Sequence, residues 1–109
     1  MTNLVLKKWI EPYVLLETLK KHYEMKDITF DGWTKPDMTK EFFNALEKQA
    51  TLGLYMKNVN KFYVFSGVEQ LNLKDLFNFN DDDLISETDA NTALQLVDMG
   101  KAEASFIKL

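Results

Sequence analysis

His22 is the only histidine, cysteine is absent, and Ser66, Ser86 and Ser105 all lie far along the chain from that one imidazole. Nucleophilic catalysis needs a hydroxyl or thiol beside a base that a third group orients. No G-x-S-x-G elbow, glycine-rich phosphate loop or H-E-x-x-H pair supplies such a set. His22 sits next to Tyr23 on a helical pattern, where a lone histidine ordinarily packs and hydrogen-bonds at a boundary. The chain therefore reads as non-enzymatic, with no catalytic residue and no cofactor.

Carboxylates come closer to a cluster. With seventeen acids in 109 residues some close pairs arise by chance, but Asp81, Asp82 and Asp83 form one dense group. The surrounding stretch, Asn78 to Asp89, loosely resembles a calcium-binding loop: Asn78, Asn80 and Asp82 take alternating positions, Ile85 the hydrophobic one, and Asp89 the last. Alternating oxygens converge on a cation only if the loop turns sharply. Asp83 stands where glycine permits that turn, the first position is Asn, and Asp89 is shorter than the usual bidentate glutamate. Asn78 to Asp83 are better read as an acidic loop whose side chains cap the following helix, with no metal.

The positive charge consists of thirteen lysines and no arginine. Arginine's planar fork does most bidentate recognition of phosphate and guanine, so the commonest reader of nucleic acid is missing. Residues 1–66 carry 10 Lys against 8 acids, and residues 67–109 carry 3 Lys against 9, which makes the second part strongly acidic within an overall net charge of −4. An acidic surface repels phosphate and attracts basic partners.

Binding to a protein needs large anchors and a complementary rim. Trp9, Trp33, Tyr55 and Tyr63 are of the types enriched at hot spots, although tryptophan in a small domain is ordinarily core. Strand alternation turns Tyr55 and Tyr63 away from an aliphatic face. They join Asp81, Asp82, Asp83, Glu87 and Asp89 as candidate partner-binding residues, the partner being a protein with a basic surface.

The elements that position these residues follow from periodicity. At 109 residues, 46% hydrophobic and with two prolines, the chain fits a single globular domain over 1–109. No uninterrupted apolar run exceeds four residues, so no membrane span is expected, and the reading is a soluble, cytoplasmic protein. Pro12 suits a first helical position, and Leu15, Leu16, Leu19 and Tyr23 form one stripe of a helix reaching about Met25. Leu4 to Ile10 is either a short helix or an edge strand. Ile28 to Phe30 is extended, Asp31-Gly32 turns, and a second helix capped by Thr34 or Asp37 sets Met38, Phe42, Phe43, Leu46 and Ala50 against the first.

A β-hairpin is the clearest element. Leu52, Leu54 and Met56 lead through a three-residue turn at Asn58 to Asn60 into Phe62 and Val64. That register pairs Lys57 with Lys61 and Tyr55 with Tyr63, leaving one aliphatic face and one rich in tyrosine. Asn72 to Phe77 and Glu87 to Met99 read as short acidic helices, the second started by Ser86 and Asp89 and ended by Gly100, and Ala104 to Leu109 as a third strand beside the hairpin.

The expected class is α+β: N-terminal helices packed on a small antiparallel sheet with a central hairpin, and short acidic C-terminal helices closing the other side. The expected function is that of an intracellular interaction module whose acidic surface occupies a basic site on a larger partner. A phage or mobile-element accessory protein would suit, including an inhibitor that imitates nucleic-acid charge. Helix, short strand, helix and hairpin also resemble part of a winged helix, with Lys57 and Lys61 of the wing reaching phosphates. The candidate recognition helix balances Lys35, Lys40 and Lys48 with Asp37, Glu41 and Glu47, so it sets up no field toward DNA. An assembly subunit using exposed aromatics and a free C-terminal strand is the third alternative.

Overall fold

The computed structural model of the chain describes residues 3–28, 40–48, 50–56, 61–68 and 71–109. They build a six-stranded antiparallel sheet with helices on both faces. The strands are β1 (Asn3–Leu6), β2 (Glu24–Ile28), β3 (Leu52–Met56), β4 (Lys61–Ser66), β5 (Leu84–Glu87) and β6 (Ala104–Lys108), in the order β2-β4-β3-β6-β1-β5. The helices are α1 (Pro12–His22), α2 (Lys40–Glu47), α3 (Leu73–Phe77) and α4 (Ala90–Asp98). The mixed α+β class holds, and the sheet is larger than the expected hairpin plus one strand.

Pro12 opens α1 as its sequence predicts, and the Glu11 carboxylate accepts the Val14 N–H at 3.0 Å in place of a missing helical carbonyl. The helix stops at His22 rather than Met25. Tyr23 turns extended, and Glu24 to Ile28 pair with β4. β-Ladder bonding of Met25 against Phe65 outweighs the modest helical preference of one more turn. Ile28 thus ends a strand, whereas Thr29 to Phe30, the Asp31-Gly32 turn, Trp33, Thr34, Asp37 and Met38 lie outside the described residues.

Two apolar layers flank the sheet. On one face Leu15, Leu16 and Leu19 of α1 and Leu73 of α3 pack on Leu6, Leu52, Leu54, Tyr63, Phe65 and Phe106. On the other, Leu46 of α2 and Ala93, Leu94 and Val97 of α4 pack on Val5, Tyr55, Phe62, Val64 and Ile107. The expectation that α2 packs against α1 is therefore corrected: the sheet lies between them. Each face receives one N-terminal and one C-terminal helix, because every strand of the hairpin carries apolar residues on both of its sides.

β3 and β4 form the predicted hairpin with a different register. Tyr55 pairs with Phe62, Leu54 with Tyr63 and Met56 with Lys61, one residue from the expected pairing. Four residues, 57–60, separate the paired ends instead of three, so Lys57 and the turn itself fall outside the described residues. A one-residue slip changes which side chains share a face. Tyr63 joins Leu54 under α1, and Tyr55 joins Phe62 on the other side.

Both strands of the hairpin are interior, β4 beside β2 and β3 beside β6. The C-terminal strand does lie beside the hairpin as expected, but it is not free: β6 is paired on both sides, with β3 and with β1. β1, read as an edge strand or a helix, is interior as well. The last helix begins at Ala90 rather than Glu87, since Glu87 is paired with Asn3 in β5, and Asp89 caps it. Gly100, at φ +76°, ends that helix in the left-handed conformation that glycine adopts without strain.

Candidate functional site

The acidic stretch becomes an edge of the sheet. Leu73 to Phe77 form α3, whose last turn ends at Asn78 in the left-handed conformation. The chain then makes a 3-10 turn over Asp81–Asp83 and enters β5, which pairs on one side with β1. Among the described residues no strand lies against its other side. Asn3 pins the far end: its buried amide donates to the Thr88 carbonyl at 3.3 Å, and its oxygen accepts the Lys108 N–H at 2.8 Å.

The carboxylates around β5, all but Asp82, have local tasks, and none is buried. Asp81 pairs with the Lys74 ammonium. Asp83 accepts the Asn80 N–H at 2.8 Å and fixes the turn, and Asp82 is exposed. Glu87 accepts the Asp89 N–H at 3.1 Å. Asp89 accepts both the N–H and the hydroxyl of Thr92, at 2.9 and 2.7 Å, and these bonds hold its carboxyl below the usual carboxylate range. The cap of α4 is thus Asp89, whereas Asn80 and Asp83 of the loop cap the 3-10 turn instead of that helix. Asn78, Asn80 and Asp82 of the calcium-loop pattern precede β5 and Asp89 follows it, so an extended strand lies between its first three positions and its last.

A groove of about 360 Å³ runs beside this edge. Leu4, Leu71, Leu73 and Leu84 line it, with the Lys74–Asp81 pair at one end and Ser86 among its walls. It holds no histidine, and among the described residues His22 makes no hydrogen bond to a hydroxyl or carboxylate: exposed on the last turn of α1, it lies tilted against Tyr23 with ring centroids 6.4 Å apart. The Ser105 hydroxyl is committed elsewhere, buried and donating to the Ala93 carbonyl at 2.6 Å.

Five of the candidate partner-binding residues, Asp81, Asp82, Asp83, Glu87 and Asp89, are thus gathered around one strand. The other two are not at the surface. Tyr55 is 1% exposed and Tyr63 7%, which corrects the expectation that alternation exposes them. α4 covers the face that Tyr55 occupies, and its phenol donates to the Asp98 carboxylate at 2.6 Å. Burial, with this hydrogen bond and the negative charge of Asp98, pushes the phenol well above its ordinary pKa. Lys61 is in β4, opposite Met56.

Two exposed aromatics flank the start of α1: Trp9, among the anchor types named from the sequence, and Tyr13, which was not. Trp9 is 63% exposed and Tyr13 69%, with Val14 half exposed beside them. Their position was readable: Trp9 falls between the end of the β1 alternation and Pro12, where no periodic face buries it. Comparison of the chain with known protein families, with characterised proteins and with solved structures finds no match.

Proposed function

We propose that this chain is a non-enzymatic interaction protein that presents its acidic sheet margin to a basic site on a larger protein partner. The observation that carries this reading is the gathering of Asp81, Asp82, Asp83, Glu87 and Asp89 around β5, the one strand of the acidic half that forms an edge of the sheet. The finer form of the proposal places it in the cytoplasm, as an accessory protein of a phage or other mobile element that inhibits its partner by imitating nucleic-acid charge. Its support is compositional: lysine as the sole cationic side chain besides His22, no cysteine, and a net charge of −4.

Replacing Asp81, Asp82 and Asp83 together by Asn tests it. Asn keeps an oxygen acceptor at 83, so the turn survives and only charge is lost. Exposed ion pairs contribute ~0.2–1 kcal/mol each, so three lost charges should weaken a captured basic partner by roughly tenfold. A pull-down from the native host followed by mass spectrometry identifies that partner, and titration calorimetry against both forms measures the loss. Equal affinity for the two forms contradicts the assignment.

A further inference from the structure

We infer that the open side of β5 receives an extended segment of the partner as an added antiparallel strand, with apolar side chains alternating with lysine or arginine. This inference rests on the interaction reading above and names how the partner docks.

The ladder geometry fixes which backbone groups are on offer. The Lys7 N–H donates to the Asp83 carbonyl at 2.8 Å, which continues the β1–β5 register by one residue beyond Leu6 and Leu84. In an antiparallel pair, mutually bonded and unbonded residue pairs alternate. Val5 with Ile85 and Asn3 with Glu87 are then the bonded pairs, and Leu84 and Ser86 turn their backbone groups away from β1. The Leu84 N–H already donates to the Asp81 carbonyl. What remains on the open side is the Leu84 carbonyl, both groups of Ser86 and the Thr88 N–H. These are the positions at which an incoming strand exchanges ladder bonds.

Side-chain direction supplies the second constraint. Leu84 and Ser86 both line the groove with Leu4, so an added strand sends alternate side chains over walls in which leucines stand together with Asn72, Lys74 and Asp81. The intervening side chains share the side of Ile85 and Glu87, and both ends of β5 carry carboxylates: Asp81 and Asp82 at one, Glu87 and Asp89 at the other. Main-chain bonds give such a complex its affinity and the groove its selectivity, while the acids select for basic residues. The same charges argue against a second copy, since antiparallel self-pairing brings like-charged ends together. The opposite edge of the sheet, β2, carries Glu24 and Lys26 in the same segment and presents no single sign.

The test uses the fluorescein-labelled peptide acetyl-Lys-Leu-Lys-Leu-Lys-amide at low salt, with fluorescence anisotropy as readout. Methylating both leucine nitrogens keeps its charge and removes ladder donors. The expected result is binding of the parent peptide, at least about tenfold weaker binding of the methylated one, and slowed amide exchange at Ser86 and Thr88 in the parent complex. Ser86→Pro should weaken the parent peptide to a similar degree, because its N–H faces outward and proline is tolerated on edge strands. Exchange protection in the wild-type protein keeps the test decisive if that variant fails to fold.

Equal binding of parent and methylated peptides overturns strand addition while leaving the acidic-surface reading intact, provided that Asn at 81, 82 and 83 still lowers affinity for the captured partner. No binding of the parent peptide overturns it too. So does concentration-dependent dimerisation that Ser86→Pro abolishes, which would give the edge to a second copy.

Discussion

β3 and β5 are short strands of one sheet, and their surroundings are opposite. Every residue of β3 is buried, both its edges are paired, and helices close both of its faces. Among the described residues β5 has one paired edge, and it has no buried residue and carboxylates at both ends. The hairpin holds stability and tolerates little change; the margin holds charge and open ladder groups and can change without unfolding the rest. Side-chain substitutions should sort by this division, with large costs in the hairpin and small ones at the margin.

The sharpest case is Gly53. A Cβ placed there would sit 2.4 Å from Phe62 Cζ and 2.7 Å from Cε1, and the Phe62 ring is fully buried. Gly53 is paired with Val64 and Ile107 in the centre of the sheet, so its missing side chain makes space for a ring on the neighbouring strand. Gly53→Ala should cost roughly 3 kcal/mol by overpacking, read as a lower urea midpoint at unchanged slope. Adding Phe62→Leu should recover part of that loss, giving strongly non-additive effects for two residues in contact. Additive effects would show that the contact does not set the cost, and would weaken the contrast between hairpin and margin.

That hairpin was legible in the sequence as to its existence but not as to its faces. Leu52, Leu54 and Met56 alternate with Gly53, Tyr55 and Lys57, which suggests a half-exposed strand. Yet apart from glycine and the terminal lysine both sets are apolar or aromatic, as a strand buried on two sides requires. The register was decided by a turn length that alternation does not encode. α1, α3 and α4 were readable because Pro12, Asn72, Asp89 and Gly100 mark ends of these helices by local chemistry, and β6 because its residues alternate. β5 was hidden because Leu84 to Glu87 is short and mixed, and its strand state comes from pairing with β1 about eighty residues away in sequence. The acidic margin could therefore be named residue by residue, while its being a sheet edge could not.

Tyr55 tests the boundary between core and polar chemistry. Tyr55→Phe keeps the ring and removes the bond to Asp98, with an expected loss of ~1–2 kcal/mol near neutral pH. The phenol's pKa is raised in the folded state, so its contribution is fully present below the unfolded value near 10 and falls as pH rises beyond it toward the folded value. The stability gap between wild type and Tyr55→Phe, measured by denaturant titration, should be constant through neutral pH and narrow above about pH 10. A gap that widens there would mean that the phenol ionises in place beside Asp98.

The smallest effect belongs to the margin itself, at Asp89. Its carboxyl is fully exposed and its pKa lowered, first by the Thr92 hydroxyl and then by the Thr92 N–H. A lowered folded-state pKa gives stability that is present above the ordinary carboxylate value and lost as pH falls through the folded one. Asp89→Asn retains an acceptor for the cap and removes only the charge at the N-terminus of α4. Wild type should melt slightly higher than the variant at pH 7, by a margin that salt reduces, and the two curves should converge in the acid range below the folded pKa. A large drop at pH 7 would mean that the acidic margin carries the fold, and charge-neutralising substitutions around β5 would then report on unfolding as well as on partner binding. A small one separates the two roles, leaving the fold to the hairpin and the partner to the edge.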